Sequence, residues 1–103
     1  MDSRGQGTSG KGLEQIRVAC LYEGHVQGVG FRYTAVSVAA QVPGVTGFVR
    51  NLPDGDVEVL IEGPPMMVET FLQRIAERMG RFIVREHRCQ APATGEFGEF
   101  AVR

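Results

Sequence analysis

Between residues 24 and 32 the chain reads GHVQGVGFR, with three glycines, no acidic side chain and a closing arginine. Glycines cluster in this way where a chain turns tightly or where something must approach its backbone N–H groups. The stretch stands between a strand pattern and a helix pattern, and the unpaired donors of a helix's first turn form a natural anion site. Arg32 falls in that first turn, where a cation opposes the helix dipole by a few tenths to about 1 kcal/mol. A bound phosphate, gripped bidentately by the guanidinium, would offset that cost. No Lys-Ser/Thr pair follows the glycines, so this is not a Walker loop, and the spacing is not G-x-G-x-x-G either. Two readings stand at this point: an anion cradle, or a tight strand-to-helix turn carrying a solvated arginine.

Asn51 is the second residue of interest. A helical crossover between the first two strands makes them parallel, so their C-terminal ends share one edge of the sheet. The glycine loop leaves the first strand at that edge and Asn51 ends the second, which lets Arg32 and Asn51 converge. Taken alone, Asn51 is a turn residue in the turn-rich NLPDG.

The positioning elements are read from periodicity. QIRVACLYE alternates, placing Ile16, Val18, Cys20 and Tyr22 on one face of a strand. Phe31, Ala35, Val38, Ala39 and Val42 recur at helical spacing, and Pro43-Gly44 closes that helix. VTGFVRN and DVEVLIEG read as strands joined by the LPDG turn, with Val57, Val59 and Ile61 on one face. PPMMVETFLQRIAERMG is a helix, with proline at its start, a stripe of Val68, Phe71, Leu72, Ile75 and Met79, and Gly80 after the last turn. RFIVREHRC, diluted by Arg85, Glu86, His87 and Arg88, suits a strand at a sheet edge, and EFGEFAVR is a last strand. The order β-α-β-β-α-β plus a short C-terminal strand predicts an α+β fold of the ferredoxin-like, split β-α-β kind. Its sheet is antiparallel or mixed, with both helices on one face.

Bulk properties bound the function. The chain has 103 residues, 43% apolar and 22% charged, with a formal net charge of −1. That suits one domain with a single core and gives no electrostatic case for nucleic acid or a membrane as partner. Residues 1–12, MDSRGQGTSGKG, read as a flexible tail, leaving 13–103 as the domain. Cys20 and Cys89 have no spacing partners for zinc or a disulfide framework. They read as buried free thiols of a reducing, cytoplasmic compartment. No apolar run reaches membrane-spanning length.

GHVQGVGFR at 24–32 and GFVRNLPDGDVEVLIEG at 47–63 closely resemble the two signature motifs of the acylphosphatase family, in residue type and in separation. The resemblance runs from about Ile16 to the C-terminal FAVR. One departure is Tyr22, where the family usually has an aliphatic residue pointing into the core; the change matters if its hydroxyl finds no partner. The resemblance implies hydrolysis of the carboxyl–phosphate bond of small acyl phosphates. By carry-over Arg32 would bind the phosphoryl oxygens together with the backbone amides of His25, Val26, Gln27, Gly28, Val29, Gly30 and Phe31. Asn51 would orient the attacking water. No cofactor, no metal and no obligatory phosphoenzyme are implied, and a monomer is expected.

The residues suit that chemistry. Phosphoryl transfer rests on positioning and charge stabilisation. A carboxylate of pKa about 4 leaves without a general acid. No Ser or Cys lies in 23–32 to act as a nucleophile. His25 reads as solvent-facing, and His87 as a surface residue. Met66 and Met67 read as core or rim, Arg50 as facing away from Asn51, and Asp54 and Asp56 as turn chemistry. Three other classes share the topology. An RNA-recognition domain would need exposed aromatics on two central strands, and Phe48 stands alone. A small-molecule regulatory domain would leave the loop and Arg32 without a task. A non-catalytic phosphate or carbamoyl-phosphate binding module, part of a larger protein, would keep the cradle and lose the reaction; a chain ending at its last strand favours a stand-alone enzyme.

Overall fold

The computed structural model describes residues 14–103, so the tail expected at 1–12 lies outside the described residues. Strand β1 (Ile16–Gly24) leads through the glycine loop into helix α1 (Phe31–Gln41). Strands β2 (Thr46–Asn51) and β3 (Val57–Gly63) form a hairpin, followed by helix α2 (Pro65–Met79). A 3₁₀ turn (Gly80–Phe82) precedes β4 (Ile83–Pro92), and β5 (Phe100–Val102) is last. The sheet order is β4-β1-β3-β2-β5, antiparallel except for the β2–β5 pair. This is the ferredoxin-like arrangement.

Alternation decides which side chains make the core. Val18, Cys20 and Tyr22 of β1, Val49 of β2, and Val57, Val59 and Ile61 of β3 point to the helix side and are buried. They meet Phe31, Ala35 and Val38 of α1 and Val68, Phe71, Leu72, Ile75 and Met79 of α2. That apolar stripe holds α2 to the sheet, each large side chain contributing about 1.5–3 kcal/mol on burial. Helix α1 ends where the Val42 N–H returns to the Ala39 carbonyl, one residue before Pro43.

The sequence expectations are adjusted in three places. Gly80 follows the last turn of α2 as expected, and in right-handed conformation (φ −56°) it carries the chain into the 3₁₀ turn. The last strand contracts from 96–103 to 100–102. Residues 94–97 instead lie against the helix-free face, where Phe97 packs edge-on to Phe48. Strand β4 takes the edge position expected of it and runs on to Pro92. Cys20 is buried and burial pushes its thiol up to about 11, whereas Cys89 is exposed. Cys89 pairs with Ala19 on the helix-free face, where this edge strand has no second layer above it.

Across that face the segment after β4 is tied down by a carboxylate. Glu62 of β3 is 1% exposed and accepts the N–H of Thr94 and of Gly95, each at 3.0 Å. Arg17 Nε reaches its Oε2 at 2.7 Å, and the Thr94 hydroxyl lies 3.0 Å from the same oxygen. Burial alone would raise the Glu62 pKa. The Thr94 N–H, the Arg17 guanidinium, the Gly95 N–H and the Thr94 hydroxyl outweigh it and bring it down to about 2.

Candidate active site

Strands β1 and β2 both run antiparallel to β3, so they are parallel to each other and end at one edge. Val57 of β3 has Tyr22 as partner on one side and Asn51 on the other. The register therefore sets Asn51 level with Tyr22, two residues before the glycine loop opens. It also faces Asn51 toward the helix layer, while Arg50 points to the other face and pairs with Glu58.

The loop is built so that its side chains anchor it and its backbone is left outward. Val26 and Phe31 are buried, and the Phe31 ring packs on Tyr22 with centroids 5.1 Å apart. Gly28 and Gly30 take φ of +79° and +83°, in the left-handed region that other residues enter at a cost. A Cβ built on either would meet nothing within 4 Å, so what selects glycine there is backbone conformation and the space above is open. Gly30 is the N-cap of α1 and supplies no side chain, and the first turn has no acidic residue. The first intrahelical bond runs from Thr34 N–H to the Gly30 carbonyl, leaving the earlier donors of the helix facing out.

Gln27 fixes the loop laterally. Its side-chain amide donates to the carbonyls of Leu52 and Asp56 at 2.7 and 2.8 Å, which are the two ends of the β2–β3 turn. Leu52 N–H also bonds to Asp56 O, and Asp56 N–H to the Asp54 carboxylate, as turn chemistry requires. The turn that follows Asn51 and the loop that precedes Arg32 are thus one hydrogen-bonded unit. Sequence reading treated Gln27 only as a source of a backbone amide; nothing in its local pattern indicates the side-chain bridge.

Arg32 and Asn51 line one cleft of about 500 Å³, together with Val26, Gly28, Gly30, Phe31, Tyr33, Val36 and Val102. Arg32 is exposed, and among the described residues its guanidinium has no hydrogen bond or ion pair. His25 does not line the cleft, and its N–H donates to the Phe82 carbonyl at 2.9 Å. That donor is spent within the fold, which narrows the expected amide cradle to Val26–Phe31. His87 is exposed, is bonded to Glu23 at 2.7 Å and does not line the cleft. Tyr33, Val36 and Val102 were not singled out in the sequence; Val102 arrives only because β5 pairs with β2.

Comparison with known proteins identifies the family. The sequence profile described as Acylphosphatase matches residues 18–102. The acylphosphatase of Methanospirillum hungatei is 41% identical over 88 residues, covering 84% of this chain and 96% of that protein. That of Methylococcus capsulatus is 44% identical over 88 residues, covering 84% and 94%. Among solved structures, acylphosphatase from Bacillus subtilis superposes with a TM-score of 0.75 at 25% identity, covering 85% of this chain and 98% of that one. HypF from T. kodakarensis gives 0.70 at 26% identity, but the match takes in only 12% of its length against 84% of this chain. With residues 18–102 matched by the family profile and most of its length matched by these relatives, the chain belongs to the acylphosphatase family.

Proposed function

We propose that this protein hydrolyses the carboxyl–phosphate bond of small acyl phosphates. The observation that carries this is the cleft itself, where Arg32, unpaired among the described residues, the donors of a glycine-shaped helix start and Asn51 meet. In this reading Arg32 and the amides of Val26–Phe31 hold the phosphoryl oxygens, and Asn51 holds the attacking water in line with the acyl oxygen. Water oxygen bonds to phosphorus as the bond from phosphorus to the acyl oxygen breaks. The carboxylate leaves with the electron pair, and the water's proton ends on phosphate or solvent. Because the leaving group is a weak base, no general acid is needed, and the guanidinium and N–H groups supply the charge stabilisation without a metal. Two free cysteines, one of them exposed, fit a reducing, cytoplasmic setting.

A second reading is a non-catalytic module of a larger protein that binds phosphate or carbamoyl phosphate; the match to 12% of the length of HypF supports the modular part of it. One experiment separates the two. Phosphate release from benzoyl phosphate is followed for the native chain and for Asn51→Ala, with p-nitrophenyl phosphate and a chelator as controls. Chelator-resistant release, confined to the acyl phosphate and lost in the variant, is expected. Native protein that binds phosphate but releases none from benzoyl phosphate selects the second reading.

A further inference from the structure

The cleft is larger than a phosphoryl group requires, and the rest of its wall is apolar. Beyond Arg32, Asn51 and the glycine backbones, the lining is Val26, Phe31, Tyr33, Val36 and Val102. Large hydrophobic side chains that stand well exposed are few among the described residues: Tyr33 (81%), Met66, Val84 and Val102 (47%). Two of these four, from elements at opposite ends of the chain, meet at this one cleft. Isolated exposed hydrophobics need no explanation, but two converging beside a charged cradle mark a binding wall. The charge pattern is as informative. Arg32 is the one charged side chain lining the cleft among the described residues. Arg103, next after Val102, is turned to the other face, with its guanidinium over the rings of Phe48 and Phe97.

We infer that Tyr33, Val36 and Val102 form the acyl subsite, and that the substrates are acyl phosphates with uncharged apolar acyl groups. Aryl and longer aliphatic chains are preferred over acetyl, and over acyl groups that carry a second anion. The inference rests on the hydrolytic reading above. Arg32 is occupied by the phosphoryl group, so a second anion would meet valine and tyrosine side chains with no cation to pair it. An apolar acyl group gains about fourfold in kcat/KM for each methylene moved out of water against that wall. Acetate and butanoate are carboxylates of nearly equal basicity, so their ratio reports contact with the wall and not leaving-group chemistry.

The test is kcat/KM for acetyl, butanoyl, benzoyl and succinyl phosphates with the full chain, Tyr33→Ser and Val102→Thr. Both substitutions are at exposed positions that the core does not need. The native protein is expected to favour butanoyl over acetyl by about fifteenfold, two methylenes' worth, and benzoyl over acetyl by at least as much, with succinyl no better than acetyl. In either variant the benzoyl-to-acetyl ratio should fall at least threefold. A native ratio near one, succinyl phosphate as the leading substrate, or a ratio unmoved in both variants would overturn the subsite. Binding of benzylphosphonate and methylphosphonate to the same three proteins keeps the two proposals apart. No turnover of any acyl phosphate, with benzyl preference present and weakened in the variants, sinks the hydrolytic reading and leaves the apolar subsite standing. Equal binding of the two phosphonates sinks the subsite.

Discussion

Two places in this fold combine an arginine with backbone N–H groups, and they differ in what sits between. On the helix-free face the N–H groups of Thr94 and Gly95 and the guanidinium of Arg17 close on the carboxylate of Glu62. At the sheet edge the donors of the glycine loop and Arg32 face a cleft that no carboxylate lines among the described residues. The first is an anion site filled by the protein's own side chain, and it holds a crossing segment in place. The second is assembled from the same parts, and the described residues supply no anion for it. A cation at the start of a helix, with no acidic residue in the first turn, stays unfavourable until something negative arrives from outside. The lesson is that the parts do not distinguish structure from function here; what distinguishes them is whether the chain completes the site itself.

The contrast can be broken most forcefully at Asn51. Replacing it by alanine should lower kcat for benzoyl phosphate by about 10²–10³, the usual effect of losing one pre-positioned polar group, while thermal unfolding stays near native. Arg17→Met should do the reverse. It strands a buried carboxylate and costs about 2–4 kcal/mol, read as a large fall in Tm, with kcat per folded molecule retained. Inorganic phosphate sharpens the distinction. At a hundred times its Kd it should stabilise the native chain and Arg17→Met alike by about 2.7 kcal/mol, and leave Arg32→Ala unmoved in a thermal-shift titration.

Acid should act on the filled site. The folded pKa of Glu62 lies below its unfolded value, so its contribution is complete above the ordinary 4.5 and is lost as pH falls toward about 2. Glu62→Gln should flatten the stability-against-pH curve across that window and lower its neutral plateau. Gln27→Ala, which unties the loop from the β2–β3 turn, should cost about 1 kcal/mol and lower kcat severalfold through a looser Asn51. The smallest effect belongs to Tyr22, 1% exposed, whose hydroxyl has no hydrogen-bond partner among the described residues. Burial pushes that hydroxyl's pKa well above its usual value. Since an orphaned buried polar group is a standing cost, Tyr22→Phe should be neutral or stabilising by up to about 1 kcal/mol in denaturant unfolding.

The open site was far more legible in the sequence than the filled one, for a physical reason. Loop, helix start and second strand follow one another, and the rule that a helical crossover joins parallel strands is enough to bring Arg32 and Asn51 to one edge. Glu62 meets partners 32, 33 and 45 positions away. Each reads locally as something ordinary, with Thr94-Gly95 as turn residues and Arg17 as an outward strand residue. The same distance hid Val102 from the cleft. Cys89 misled because alternation says which residues share a face, and not whether that face has a second layer over it.

The strand order also dictates how this protein must come into being. Neither β1 nor β2 is a neighbour of the other; each needs β3, and their outer partners β4 and β5 come later still. A chain growing from its N-terminus therefore makes two strands and a helix before any sheet hydrogen bond between strands is available. Through synthesis of its first half it presents two strands unpaired on both edges and the apolar side chains of Ile16–Tyr22 and Phe48–Val49. Until residues 57–63 emerge to join them, the nascent protein is in its most aggregation-exposed state. Chaperone binding should be heaviest over that interval of translation and fall once β3 is out.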